Sequence, residues 1–234
     1  MLFFYLFFFD NKKFDGVENN IDYLSNMQST NKVEISKPIF KSKGLNSNPY
    51  EISAKKGIQL GDDLKLIEIN GKLTNDKNEK IFLKADTGFY SDKKQKIELD
   101  GNVIISDEFG SITSADNALI DIKTEMIDLK GNVFSTRNDI EIRSNFSSLD
   151  DKNKILTYSG EVRIIRKINN QYEKVSGNIA KYDLSKEKIK VTGDVTVIKN
   201  ENVLKGHDLI VDLINSTSIM NSNENNRVLL KIAN

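Results

Sequence analysis

The sequence predicts an all-β protein, one elongated antiparallel sheet built from a hairpin repeat of roughly 30 residues. Two observations carry this prediction. Apolar and polar residues alternate over many short segments, which is the period of a strand with one buried face. Glycines at the centres of five such segments recur at intervals of 30, 30, 29 and 33 residues. Only two prolines occur in the 234 residues, so little interrupts long hydrogen-bonded ladders.

The first repeated phrase is an alternating strand centred on one of these glycines. The glycines are Gly71, Gly101, Gly131, Gly160 and Gly193. Apolar residues two and four places away on either side share one face of the strand. This predicted inner face contains Ile97, Leu99, Val103, Ile105, Ile127, Leu129, Val133, Tyr158, Val162, Ile189, Val191 and Val195.

The second repeated phrase starts at a small residue and reaches an apolar residue five places on. The small residues are Ala85, Ala115, Ser144, Gly177 and Gly206. A polar turn such as SDKKQ or SKE follows, so the two phrases form an antiparallel hairpin. A polar reversal after each strand argues against a parallel β-helix, the main alternative architecture.

A glycine at the centre of every second strand indicates a bend or a bulge. Strands of ten to twelve residues exceed the usual five or six. If all of them bend in one register, the sheet folds over into a V-shaped, jelly-roll section with glycines along its spine. The alternative is a local bulge that leaves the overall shape unchanged. The recurrence of the glycine in one register favours the bend.

The N-terminal residues differ from the repeats. Residues 1–9, MLFFYLFFF, are apolar, but nine helical residues reach only about 13.5 Å of a hydrocarbon core of about 30 Å. We interpret them as part of a membrane anchor; an apolar terminus without a role is the alternative. Residues 10–34 are polar and rich in Asn, which predicts a linker. The β domain is expected over residues 35–234.

Composition excludes several functions. Lys+Arg and Asp+Glu are both 34, and a chain without basic excess is not typical of nucleic-acid binding. The absence of cysteine excludes disulfides, thiolate catalysis and Cys-ligated zinc. The single histidine, His207, is expected on the surface at a strand start. Four aspartates end strands before polar turns and are expected to bond the turn backbone rather than to hold calcium: Asp121, Asp150, Asp183 and Asp212. No catalytic, cofactor or metal site is predicted.

The apolar face has two interpretations. It is either the filled core of a sandwich or a groove for a long apolar ligand such as an acyl chain. A repeat array also ends in two edge strands, which favour strand addition by a partner. The C-terminal segment NRVLLKIAN is such an edge, with alternating Val228, Leu230 and Ile232.

The phrases resemble periplasmic lipopolysaccharide-transport proteins of the LptC, LptA and OstA group. The stretch KPIFKSKGLNSNPYEISAKKG (37–57) is similar to the opening of the LptC type, and KADTGFYSDKKQKIELDGNVIIS (84–106) matches the group most closely. From about residue 140 onward the segments resemble LptA equally well. The resemblance covers residues 35–232.

The resemblance implies a non-enzymatic protein anchored in the inner membrane of a Gram-negative cell, with its jelly roll in the periplasm. Such a protein receives lipopolysaccharide from an LptB/F/G-type ABC transporter and passes it to an LptA-like partner by edge-to-edge contact. The inner-face residues would line the lipid groove. Ile39 and Phe40 would lie at the edge facing the transporter, and Val228, Leu230 and Ile232 at the edge facing the partner.

Two other functions are compatible with the same sequence features. One is a soluble LptA-like bridge protein, or a fusion of the two types. The other is a structural or adhesin-like envelope repeat protein with a filled core and no ligand.

Overall fold

The structure, a computed structural model, describes residues 32–43, 49–74, 79–91, 93–121, 124, 126–150, 153–168, 171–221 and 228–231. Every helix or strand assigned in these ranges is a β-strand, so the predicted class is confirmed. The strands are β1 (Lys32–Ser36), β2 (Ile39–Lys43), β3 (Pro49–Leu60), β4 (Asp63–Thr74), β5 (Lys80–Ser91), β6 (Lys96–Asp107), β7 (Ile112–Asp121), β8 (Met126–Arg137), β9 (Ile140–Asp150), β10 (Ile155–Ile168), β11 (Gln171–Asp183), β12 (Lys188–Lys199), β13 (Asn202–Asp212), β14 (Thr217–Asn221) and β15 (Leu229–Lys231). The sheet thus begins at Lys32, three residues before the predicted domain start at residue 35.

All strands belong to one antiparallel sheet. Its order is β1-β3-β4-β5 and onward in sequence to β14, so consecutive long strands form hairpins as predicted. Two short strands share one long partner at each end of the sheet. β1 and β2 both pair with β3, and β14 and β15 both pair with β13.

A row of bulges crosses the sheet at the predicted glycines. Gly101, Gly131, Gly160 and Gly193 have φ angles of 78, 78, 76 and 80°, and each is followed by a second residue with positive φ. In the β6–β7 pair, Gly101 and Asn102 lie opposite the single residue Asp116. Two residues opposite one define a β-bulge, which bends its strand. The register shifts at this level in each neighbouring pair from β5–β6 to β12–β13.

This bulge row divides the sheet into two leaves. We call leaf A the strand halves that end at the aspartate-bearing turns, such as Ile155–Ser159 of β10, and leaf B the other halves, such as Val162–Ile168. Tyr158 in leaf A hydrogen-bonds Ser135 of β8 in leaf B. Through β9, however, Tyr158 is in register with Leu129, six residues away from Ser135 along β8. The contact is possible only because the sheet folds over at the bulge row, as the V-shaped prediction requires.

The core lies between the two leaves. Buried and exposed residues alternate along the strands, and the buried ones form one hydrophobic cluster that extends from Phe40 to Val211. Fully burying a Val or Ile side chain contributes roughly 1.5–3 kcal/mol, so contact between the leaves is the main source of stability. The sequence left two interpretations of the central glycines, a bend of the whole sheet and a local bulge. In the structure these are one feature, because the bulges bend the strands.

The prediction for Gly71 was wrong. In β4 the positive-φ residue at the level of the bulge row is Glu68, with a φ of 53°. Gly71 is instead in register with Leu83 in leaf B, and a Cβ on Gly71 would lie 3.2 Å from the Cβ of Leu83. Because the period-two pattern of β4 continues past both residues, alternation alone could not tell which of them lies at the bend.

Candidate functional site

The predicted inner-face residues all lie between the leaves. All except Ile97 are buried, with exposed fractions of 7% or less, and Ile97 is partly buried against the same cluster. The period-two pattern therefore identified the inward side of each strand correctly. Contact of these residues with lipid stays a prediction.

The interior is closed over the central strands. Val133 and Val162 are each 1% exposed, and Tyr158 is 2% exposed. The two leaves are thus in contact near the bulge row at β8 to β10, whereas one cavity lies toward β2 and the other at the outer strand ends of β7 to β10.

The first cavity is small and apolar and lies toward β2. Its volume is about 50 Å³, and among the described residues only apolar and aromatic side chains and one glycine line it. The lining residues are Phe40, Ile52, Leu64, Leu66, Ile69, Leu83, Gly88, Phe89, Tyr90, Ile97, Leu99 and Ile120. Phe40, predicted at a partner edge, thus lies in an edge strand but directs its side chain into the interior.

The second cavity is larger and polar; we call it the mouth cavity. It has a volume of about 280 Å³ and lies where the leaf B ends of β7 to β10 meet the leaf A turns after β11 and β13. Its apolar lining includes Ile140, Ile142, Leu156, Leu184 and Leu213. Its polar lining includes Ser135, Arg137, Arg166, Lys167, Tyr182 and Glu187. The interior therefore changes from apolar at the β2 end to amphipathic at the mouth cavity.

Arg166 is locked into the wall of this cavity. It is in register with Glu173 on β11, and the two side chains are only 6% and 7% exposed. Its Nε donates to the Glu173 carboxylate, and its Nη2 donates to the Ser218 hydroxyl of β14. A buried pair of this kind contributes little net stability, but loss of one partner leaves a costly buried charge.

Arg137 is held more loosely at the same cavity. Its Nη1 donates to the Tyr182 hydroxyl at 3.3 Å, and its Nη2 donates to Glu187 Oε1 at 3.5 Å. Charge-assisted N–H···O bonds are normally about 2.7–2.9 Å long. The Tyr182 hydroxyl donates to Glu187 Oε2 at 2.7 Å. Burial raises the pKa of Tyr182, and the bond to Glu187 raises it further.

Sequence reasoning missed these charged residues, although a signal was present. Arg137 and Arg166 continue the inward period, each four residues after Val133 and Val162 respectively, and Glu173 lies opposite Arg166 in the hairpin. Opposite charges at paired inward positions would have identified a polar wall.

The four predicted turn aspartates bond their turns as expected. Asp121, Asp150 and Asp212 accept backbone N–H bonds from residues three places on, at 3.1, 3.0 and 3.0 Å. Asp183 accepts the N–H of Ser185 and that of Lys186, and the Lys186 ammonium and the Ser185 hydroxyl also donate to it. These side-chain bonds from Lys186 and Ser185 lower the pKa of Asp183 to about 2.

His207 differs from its prediction in position only. It lies within β13 rather than at the start of a strand, its side chain is about half exposed, and Nε2 is 3.7 Å from Asp208 Oδ1. The described part of the chain holds no group of three His, Asp or Glu residues suited to a metal ion.

The predicted partner-edge residues lie at the two ends of the sheet where the structure describes them. Ile39 of β2 is 48% exposed. Val228 comes just before β15 rather than within it, Leu230 pairs with Leu204, and Ile232 lies outside the described residues. The sequence reading also missed β14, an edge strand whose Ile219 is 60% exposed.

The predicted anchor, residues 1–9, lies outside the described residues. Within the described ranges, no helix has the length and apolar character needed to cross a membrane.

Fold and interior together define a class: a folded-over β-sheet with an apolar interior that becomes amphipathic at the mouth cavity. Residues 112–217, from the start of β7 to the start of β14, match the sequence model of the family described as LptA/(LptD N-terminal domain) LPS transport protein. The predicted resemblance to lipopolysaccharide-transport proteins is thus confirmed for this part of the chain. The match does not single out the LptC type.

Among solved structures, the chain is similar to LptH, described as the LptA-homologous periplasmic component of the lipopolysaccharide transport device from Pseudomonas aeruginosa. The identity is 17% and the TM-score 0.49, over 54% of this chain and 97% of that chain. The search of curated proteins found no match.

Proposed function

We propose that this protein carries lipopolysaccharide through the periplasm with the acyl chains between its two leaves. One observation carries the proposal. The segment that matches the lipopolysaccharide-transport family, residues 112–217, coincides with the segment that lines the mouth cavity, residues 111–216. The family resemblance and the amphipathic part of the interior thus fall on the same strands.

Entry of an acyl chain requires the leaves to separate, because their contact closes the central strands. Each buried CH₂ contributes roughly 0.8 kcal/mol, so a twelve-carbon chain gains on the order of 10 kcal/mol before ordering costs. An inserted chain replaces apolar contacts between Leu129, Val133 and Val195 and their neighbours with apolar contacts to lipid. Separation therefore exposes little apolar surface to water once lipid is present.

The ends of the sheet suit transfer between proteins. In this proposal β1 and β2 face an LptB/F/G-type ABC transporter in the inner membrane, and β14 and β15 face an LptA-like partner. Strand addition at such edges aligns one sheet with the next and continues the interior. Residues 1–9 would provide the anchor of an LptC-type protein; a soluble LptA-like bridge would use both edges in the same way without it.

Site-specific photo-crosslinking in cells that make lipopolysaccharide tests the proposal. A photoreactive residue replaces inward Leu129 or Val195, and exposed Lys130 and Asp194 beside them are the matched controls. We expect lipopolysaccharide adducts at the inward positions only.

The absence of adducts from all four positions in a folded protein would contradict the proposal. The closed centre of the interior would then favour the structural envelope protein with a filled core. The same probe at Ile39 and at Ile219 distinguishes the two transport types, since only the LptC type crosslinks the transporter through Ile39.

A further inference from the structure

We propose that the mouth cavity binds a phosphate group of the transported amphiphile and that Arg137 is the residue that contacts it. This inference rests on the proposed function and adds recognition of the anionic head to burial of the acyl chains.

The two sides of the mouth cavity differ in chemistry. Leaf A and its turns contribute mainly apolar side chains, among them Leu156, Leu184 and Leu213. Leaf B contributes the cations Arg137, Arg166 and Lys167 at its outer end, together with one carboxylate, Asp139, in the turn after β8. An amphiphile whose chains lie against leaf A toward the bulge row therefore brings its head group to the cationic end of leaf B.

Of the two arginines, Arg137 is the one free to bind a ligand. Arg166 is almost fully buried and is fixed by Glu173 and Ser218, so it belongs to the wall. Arg137 is 22% exposed in its side chain and makes two long contacts, of 3.3 and 3.5 Å. A planar guanidinium held this way can turn and donate two parallel bonds to phosphate, which are shorter and stronger.

The other cavity provides a contrast within the same molecule. Within the described residues, no charged side chain lines the 50 Å³ cavity at the β2 end. At about 280 Å³, the mouth cavity approaches the lower limit of small-molecule sites, roughly 300 Å³. Of these two cavities, only the mouth cavity therefore suits a phosphorylated head group.

Glu187 is the group that a phosphate must displace. Its carboxylate accepts from Tyr182 and, at longer range, from Arg137. Phosphate bound at Arg137 would replace Glu187 there and would meet its negative charge. Neutralising Glu187 should therefore strengthen phosphate binding.

Equilibrium binding to the full chain tests the inference with two probes, lipid A carrying both phosphates and the same lipid after phosphatase treatment. The variants are Arg137→Gln and, as the matched control, Arg163→Gln on the exposed side of β10, 69% exposed. We expect the unaltered protein and R163Q to prefer the phosphorylated lipid by about tenfold, and R137Q to lose this preference while it still binds both lipids.

Misfolding of R137Q would also abolish the preference. Glu187→Gln therefore provides a second test, because we expect this variant to increase the preference for phosphorylated lipid. Equal binding of the two lipids by the unaltered protein, or a preference retained in R137Q, would overturn the inference and leave the proposed function intact. Binding of neither lipid would refute both. Binding of inorganic phosphate alone, with the same affinity and the same dependence on Arg137, would overturn the assignment to an amphiphile.

Discussion

Tyr158 is the residue at which a polar contact joins the two leaves inside the apolar interior. Its hydroxyl bonds Ser135, and Ser135 is also 3.1 Å from the Thr113 hydroxyl on β7. Burial raises the pKa of Tyr158 to about 12. The folded protein thus favours the neutral phenol. The contribution of Tyr158 to the stability of the closed leaves should therefore decrease at alkaline pH.

The variant Tyr158→Phe should lower the free energy of unfolding by about 1 kcal/mol at pH 7, because one buried hydrogen bond is lost. The difference should shrink as pH rises from 10 toward 12. In that window the unfolded tyrosine loses its proton while the folded one keeps it, so the unaltered protein loses the contribution of Tyr158 to stability and the phenylalanine variant has none to lose. Urea unfolding at pH 8 and pH 11 measures both effects.

Tyr172→Phe on β11 is the control for this measurement, since its side chain is 60% exposed. It removes a tyrosine hydroxyl without touching the contact between the leaves. A difference between Tyr158→Phe and the unaltered protein that stays constant up to pH 11 would contradict the assignment.

At this scale the sequence predicted the apolar inner face but not its charged end. Local alternation alone decides which side of a strand Leu129 or Val195 occupies, and the structure agrees. Arg166 and Glu173 were missed because charge argues for solvent exposure, whereas here each neutralises the other in the wall of the interior. Pairing across a hairpin, rather than the polarity of single residues, decides such positions.

Among the elements, the bulge row has the largest effect on shape. At Gly131, φ is 78°, and a Cβ would collide with the Asp116 side chain. Gly110 also has positive φ, 88°, but a Cβ there would meet open space. Alanine substitutions at these two glycines therefore separate the free-energy cost of backbone strain alone from the added cost of a collision within the bulge row.

We expect Gly131→Ala to lower the free energy of unfolding by about 2 kcal/mol and Gly110→Ala by about 1 kcal/mol. Both substitutions strain the backbone, but only the first also displaces Asp116 from the bulge row. Urea unfolding with a comparison of m-values measures both. Equal losses for the two variants would show that the bulge row does not require the space at Gly131.

The terminal elements were predicted less well than the central repeats. Central strands repeat a local pattern, whereas the edges depend on pairing with one long neighbour. β14, Thr217–Asn221, has no apolar alternation of its own and is defined by its register with β13. The sequence likewise gave no reason to place the bend of β4 at Glu68 rather than at Gly71, because pairing with β5 decides it.

At the scale of the whole molecule, the two leaves are closed together over the central strands. At the mouth cavity they differ in the chemistry of the side chains that they contribute. The sequence predicted which faces meet, but the distance between the leaves depends on contacts such as Tyr158 to Ser135 that join strands far apart in register. Whether the interior opens is therefore the property on which the transport proposal depends.

Distance measurement between spin labels tests this property directly, and the chain has no native cysteine to interfere with labelling. One pair spans the leaves, at exposed Lys181 of leaf A and Arg163 of leaf B; the control pair, Lys130 and Lys190, lies within leaf A. We predict that lipopolysaccharide lengthens the Lys181–Arg163 distance and leaves the Lys130–Lys190 distance unchanged. An unchanged Lys181–Arg163 distance in protein with bound lipopolysaccharide would contradict transport between the leaves.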